Sequence, residues 1–430
     1  MTTQKRRDFL RSAALGAGIV FAPSWLRAGV VGSSPNAQIN IGVIGTGKQA
    51  MGLFNRAHGM PEARFVAACD VYATNLERFA TSAATRYAEL AGGGKEMAPT
   101  TYSDYRKLLE HPGLDAVLIA TPDHQHAQMC IDALDRGLHV YCEKPLAHTI
   151  EEGRAIVDAV DRSGKVLQTG SMQRSMRTFQ RAAELIQAGS IGELKEAIVS
   201  IGEPARTFDL PAQPTPSGMD WERWIGPSVD RPFHSSLAPG SDSRQWAQWR
   251  NYAEFGGGMI TDWGAHMFDI VQWVRGKDDT GPTQFFPPGG DAKFGLTMFY
   301  DDGFRVEHRQ FGRGNAVHFV GSEGTLDVAR GFIDSSVPGL VGYNDTNASM
   351  KTSANVLHFQ SFFDAILKGT AVNCPAETGH RTSSFCTLAN IAYRLRKPLT
   401  WDPVAESVTN NRAANRLLGP EYRMSLETKS

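Results

Sequence analysis

Long apolar runs, cysteine and an excess of either charge are what this 430-residue sequence has least of. It carries 44 Lys and Arg against 45 Asp and Glu, a formal net charge of −1. So even a balance sets up no field that would draw in a polyanion. The arginines are scattered, and there is no zinc-finger spacing, Walker loop or interleaved basic–aromatic tract. Nucleic acid is therefore not an expected partner. The five cysteines, at 69, 130, 142, 374 and 386, are odd in number and irregular in spacing. That argues against a disulfide framework and against a cysteine metal site. Cys69 and Cys142 fall inside hydrophobic runs and read as core residues. The apolar run near the start, Ala13 to Leu26, is broken by Pro23 and too short to span a bilayer. No stable membrane span is expected after processing.

What is present begins beside that run. Lys5-Arg6-Arg7-Asp8-Phe9-Leu10-Arg11 precedes it, and a small-residue stretch follows to Ala37. This is a basic region, an apolar region and a processing zone, with Ala28 or Ala37 as the cleavage residue. The paired arginines followed by x-Phe-Leu resemble a twin-arginine export signal. Residues 1–37 are thus expected to engage the twin-arginine machinery and to be removed from a periplasmic or extracellular protein. The plain alternative is a disordered basic arm. The rest is long enough for two domains, and its 41% hydrophobic and 21% charged residues are those of a globular protein.

Ile39 to Gly52 reads INIGVIGTGKQAMG. The pattern is a buried strand, then Gly45-Thr46-Gly47-Lys48-Gln49-Ala50, then a helix. Gly45 suits the tight turn, Gly47 a close approach to pyrophosphate, and Ala50 close packing of helix on strand. Alone, the pattern fits a purely structural turn equally well. Three further hydrophobic runs strengthen it. Arg64 to Cys69 ends in Asp70, Ala116 to Ala120 in Thr121-Pro122-Asp123, and Leu138 to Cys142 in Glu143-Lys144-Pro145. Polar groups at successive strand ends are where an open α/β sheet binds its ligand. Asp70 would pair with ribose hydroxyls and repel a 2′-phosphate, so NAD is favoured over NADP. Thr121, Pro122, His126 and Glu143 are further cofactor-site candidates.

Alternating strands and helices over 38–170 predict a six-stranded parallel sheet in the dinucleotide-binding order. From 171 to 376 the texture changes. Phe294 to Tyr300 and Phe304 to Gln310, joined by Asp301-Asp302-Gly303, predict a hairpin, and Val317 to Val320 and Gly324 to Val328 extend a largely antiparallel sheet. Residues 377–430 read as a helix and tail packing back on the body. Pro204 to Arg250 is a long excursion of the kind that walls a pocket.

Lys144 at a strand end can hydrogen-bond a substrate hydroxyl and handle its proton. In isolation it reads as a surface lysine before a proline turn. Asp262 and His266 stand four apart in GGGMITDWGAHMFD, so one helix face would carry both as a proton-handling pair. Asp269 could orient His266 from the other side. The plain alternative is a structural helix with a buried histidine. A metal cage is not expected, since no further ligand cluster accompanies these residues. His124 and His126 are placed along the cleft, and Gln173, Arg174, Arg177 and Trp249 near substrate.

Taken together, GVIGTGKQAMG, ATPDHQHA, Glu143-Lys144-Pro145 and GGGMITDWGAHMFD resemble the Gfo/Idh/MocA oxidoreductases from about residue 39 onward. The later GSEGTLDV, PAETGHRTSSFCTLANIAYRL and LTWDP look like that family's exported branch. The resemblance implies a Rossmann domain followed by an α/β domain with a large, mostly antiparallel open sheet, often the interface of a homodimer or homotetramer. It implies NAD(P)-dependent redox chemistry on a sugar, glycoside or polyol. Lys144 would hold the reacting hydroxyl, His266 would take its proton, and Asp262 would position or assist His266. It also leaves open a glycoside hydrolase or lyase that recycles a tightly bound NAD, and, less well, a binding protein that kept the fold. Lys48-Gln49 depart from the small residues common at that point of the glycine turn.

Overall fold

The computed structural model describes residues 38–91, 98–342, 345 and 354–420. The expected export signal, 1–37, and the tail beyond 420 lie outside them. The first sheet comprises β1 (Ile39–Ile44), β2 (Ala63–Cys69), β3 (Thr100–Tyr102), β4 (Ala116–Ile119), β5 (His139–Cys142) and β6 (Leu167–Thr169). All are parallel, in the order β3-β2-β1-β4-β5-β6. Strands β1 and β4 are almost wholly apolar because helices cover both faces of the sheet. Hydrophobic runs reveal five of the six strands, with Val166 to Thr169 marking β6. The sixth, β3, is a three-residue edge strand with two exposed threonines, and it has no apolar run to announce it.

Helix Lys48–Ala57 packs on one face through Ala50, Leu53, Phe54 and Ala57. Helix 354–368, expected in the second domain, joins it there. Phe359, Phe362, Phe363 and Ile366 recur at helical spacing and form one apolar stripe. Phe359 stacks on Tyr141 of β5 with ring centres 4.7 Å apart.

The second sheet comprises β7 (Leu194–Ser200), β8 (Gln284–Phe286), β9 (Leu296–Phe299), β10 (Arg305–His308), β11 (Ala316–Gly321), β12 (Thr325–Ala329), β13 (Phe332–Ser335), β14 (Leu399–Asp402) and β15 (Ser407–Val408). Its order is β13-β12-β11-β7-β10-β9-β8-β14-β15, and only β7 and β10 pair in parallel. Val199, Val306, Phe319 and Val328 point inward against helices 177–187, 264–274 and 376–395. Glu196, Arg305, Glu307, His318 and Asp327 alternate with core residues and face the other way. Helix 376–395 also meets the first domain. Arg154 reaches from helix 150–163 to Glu377 at 2.9 Å and to Glu406 at 2.6 Å.

The excursion holds little regular structure but has its own aromatic core of Trp221, Trp224, Phe233, Trp249, Tyr252 and Phe255. Backbone bonds anchor it across the ends of the first sheet. Ala73 N–H donates to Gly218 O at 2.9 Å, and Ser241 N–H to the Asn75 side chain at 2.8 Å. This is what places a wall over the cleft. All five cysteines are buried free thiols.

Candidate active site

The glycine turn has the geometry its residue types suggest. Gly45 sits at φ +81°, and a Cβ there would lie 3.0 Å from the Ala120 backbone. Only glycine fits both constraints. At Gly47 a Cβ would meet nothing within 4 Å. Helix Lys48–Ala57 starts there with no side-chain cap and no acid in its first turn. Its free N–H groups thus face open space, which fits a dinucleotide pyrophosphate. Ala50 is buried against the sheet.

Thr46 serves Asp70 instead of facing phosphate. Its N–H and Oγ1–H both donate to Asp70 Oδ2, at 2.7 and 2.9 Å, while Tyr72 N–H donates to Oδ1 at 2.9 Å. Burial pushes the Asp70 carboxyl up, and these donors pull it back. The carboxylate is held rigidly at the cavity edge with lone pairs left for a ribose. Asp70→Ala is expected to raise the KM for NAD about tenfold and to abolish discrimination against NADP. Steady-state kinetics with both cofactors checks this. Lys48 faces the excursion, its ammonium donating to Gln245 O and lying 5.8 Å over the Trp246 ring. Gln49 hydrogen-bonds Glu143, whose buried carboxyl is pushed up by desolvation against the pull of Lys144.

A cavity of about 720 Å³ runs from the glycine turn to the second domain. Gly47, Asp70, Thr121 and Pro122 line it near one end, and Lys144, Asp262 and His266 near the other. Lys144, joined to Pro145 by a cis peptide, donates to Asp262 Oδ1 at 2.6 Å and to Asp262 O at 2.9 Å. Arg250 Nε lies 3.5 Å from the same carboxylate. Burial would raise Asp262, but Lys144 and then Arg250 hold it below its ordinary value.

The expected single helix carrying Asp262 and His266 is broken. One helix covers Gly258–Asp262 and a second Gly264–Val274, with Trp263 at the joint. His266 N–H bonds Trp263 O at 3.0 Å, one residue short of α-helical register. The Asp262 carbonyl is thereby released to Lys144. Asp262 thus orients Lys144, and no hydrogen bond joins it to His266 among the described residues. His266 is buried on the cavity wall, and its Nδ1 is sealed without a partner. Proton exchange with the cavity then falls to Nε2. Burial, aided by Arg330 and Lys144, holds this imidazole far below its ordinary value, so it is neutral.

Several expected roles are corrected by the packing. Asp269 does not orient His266: its carboxylate takes Arg174 at 2.8 Å and Thr382 at 3.0 Å. Arg174, committed to Asp269 and Asp278, is 6% exposed and does not line the cavity. Gln173 is likewise buried behind it, accepting from Arg330 at 3.5 Å. Arg177 pairs with Glu184 along an exposed helix face. His126 sits under the cavity wall, its ring nitrogens 2.9 Å from Pro145 O and 3.0 Å from Thr121 O. It fixes the two strand-end loops instead of meeting cofactor. His124 does the same for the excursion, at Trp224 O and Phe255 O. Trp249 does line the cavity, with the Arg250 guanidinium 4.3 Å from its ring centre.

Three charged residues that were given no role from the sequence also line the cavity: Asp123, Arg250 and Arg330. Asp123 follows the β4 strand end, so its place had a signal. Burial pushes its carboxyl up to about 8, and it is protonated at neutral pH. Arg330, in the turn between β12 and β13, had none.

The parallel sheet, glycine turn and Asp70 define a dinucleotide-binding enzyme fold. Residues 39–171 match the model of an oxidoreductase family with an NAD-binding Rossmann fold, and residues 205–428 match that family's C-terminal alpha/beta domain. The chain belongs to this family, Gfo/Idh/MocA, and NAD is its cofactor. It is 24% identical to an uncharacterized oxidoreductase of Bacillus subtilis, YrbE, over 56% of this chain and 55% of that protein. It is 26% identical to a glycosyl hydrolase family 109 protein of Stenotrophomonas maltophilia, over 52% of this chain and 50% of that one. The chain thus spans about half the length of these curated relatives. The fold is similar to that of the WlbA dehydrogenase from Bordetella pertussis, solved with NADH and UDP-GlcNAcA. The TM-score is 0.61 at 17% identity, covering 85% of this chain and 99% of that one.

Proposed function

We propose that the protein transfers hydride between NAD(P) and a secondary hydroxyl or anomeric carbon of a sugar, glycoside or polyol. One observation carries this reading. Lys144 from the first domain and the Asp262–His266 segment from the second converge on one cavity with the NAD site. Bound NAD supplies the hydride acceptor or donor. The chain's own residues manage the proton. Of the three N–H bonds on Lys144, two go to Asp262, so the third is free for the substrate oxygen. His266, neutral and facing the same space, takes the hydroxyl proton through Nε2. Lys144 then stabilises the negative charge that develops on that oxygen. The test is the absorbance of NADH when NAD and a panel of sugars, polyols and glycosides meet the protein. Accumulation with one class supports the proposal, and none with any member refutes it.

A second reading has its own support. The excursion is fastened over the adenosine end of the site by Tyr72–Met219 pairing, the Asn75–Ser241 bond and Lys48 on Gln245. That arrangement favours a retained cofactor, and one relative is named a glycosyl hydrolase. Glycoside cleavage through transient oxidation, with no net NADH, is the reading this supports.

We further infer export through the twin-arginine route, on Arg6-Arg7-Asp8-Phe9-Leu10, and assembly as a homodimer or homotetramer through the polar open face of the second sheet. Among the described residues no helix is long and apolar enough to cross a membrane.

A further inference from the structure

Three cationic side chains bear on the reacting end of the cavity: Lys144, Arg250 and Arg330. The first two share Asp262, at 2.6 and 3.5 Å. Arg330 is differently placed. Its guanidinium lies 4.4 Å from the centre of the Trp263 ring, and its polar contact is the neutral Gln173 Oε1 at 3.5 Å. Among the described residues it has no carboxylate within ion-pair distance. Asp262 and Glu143 are the carboxylates whose charge reaches it, both from beyond ion-pair distance, and the nearby Asp123 is protonated at neutral pH. The residue is exposed, and the space it faces is the cavity.

Trp263 also packs edge-on against His266, with ring centres 5.9 Å apart. Arg330 is therefore two aromatic contacts from the proposed base and far in sequence from every cofactor motif. A guanidinium presents a planar fork that matches a carboxylate through two parallel hydrogen bonds. Its contact with the Trp263 ring, 4.4 Å from guanidinium carbon to ring centre, restrains that fork before anything binds. One cation without an ion-paired anion, against the flat Trp263 ring in a cavity that Trp249 also lines, suits a singly charged group on a sugar ring.

We propose that Arg330 is a specificity residue that seats the carboxylate of an acidic sugar, a uronic acid or its glycoside. The proposal rests on the reading of this cavity as a sugar site, and it names the class of sugar.

The test is binding of matched probes to the NAD-loaded protein by titration calorimetry. The probes are methyl glycosides of glucose, galactose and mannose, each with its uronic acid counterpart, and glucose 6-phosphate. NADH absorbance is read on the same samples. At least one uronide is expected to bind about 10- to 100-fold tighter than its neutral partner. Arg330→Gln should erase that difference, and Arg330→Lys should restore only part of it, since an ammonium keeps the charge without the fork. Neutral probes binding as tightly as uronides, no uronide binding, or equal losses for both members in Arg330→Gln would overturn the proposal. Tighter binding of glucose 6-phosphate than of any uronide would overturn the carboxylate assignment. Hydride transfer with neutral sugars alone leaves the oxidoreductase reading standing and removes the anion seat. Arg330-dependent uronide binding with no NADH change keeps the seat and removes that reading.

Discussion

His266→Gln is expected to lower kcat by about 10²- to 10⁴-fold, the usual contribution of a positioned general base. Glutamine fills much of the same volume but cannot accept and release a proton near neutral pH. The affinity for NAD should stay close to that of the parent, because His266 lies at the reacting end of the cavity. The pH profile supplies a second readout. Burial, with Arg330 and Lys144 nearby, holds the imidazole far below 6.5. A base must be unprotonated to act, so a depressed value extends its working range downward. The acid limb of kcat/KM should therefore fall below pH 6.5, and in His266→Gln that limb should vanish. Loss of NAD binding together with activity would instead point to a structural role for this residue.

Lys144→Met is the second large effect. Removing the donor that faces the substrate oxygen should lower kcat/KM by about 10²- to 10³-fold, as loss of a single preorganised donor does elsewhere. Lys144→Arg should not rescue it, because a planar fork cannot serve both Asp262 acceptors and the substrate from one nitrogen. The substitution also acts on stability. It leaves Asp262 with Arg250 alone at 3.5 Å, at a cost of about 1–3 kcal/mol. Adding Asp262→Asn removes the stranded charge, so the double variant should regain melting temperature without regaining activity. Recovery of both would mean that the pair is only a structural tie.

The distribution of what was legible follows from the range of each interaction. Gly45, Gly47 and Ala50 act within one turn, so their spacing alone carries the geometry. Asp70 and Lys144 stand at strand ends, and hydrophobic runs mark strand ends. Helix periodicity put Asp262 beside His266, and there it failed. The ladder breaks at Trp263, and the freed Asp262 carbonyl bonds a lysine 118 residues away, which no local period can report. The same holds for Arg174, which was placed near substrate but is held by Asp269 and Asp278, 95 and 104 residues away. Arg330 reaches the cavity only because β12 and β13 form the far edge of a nine-stranded sheet. Its neighbours Ala329 and Gly331 say nothing of that.

The most direct test of the central claim is an anaerobic absorbance scan of the protein with NAD and a panel of sugars and glycosides, repeated with Lys144→Met. The account predicts net NADH with at least one member of the panel, its oxidised product in equal amount, and loss of both in the variant. A glycoside cleaved with no net NADH, or NADH formed equally by parent and variant, would contradict it.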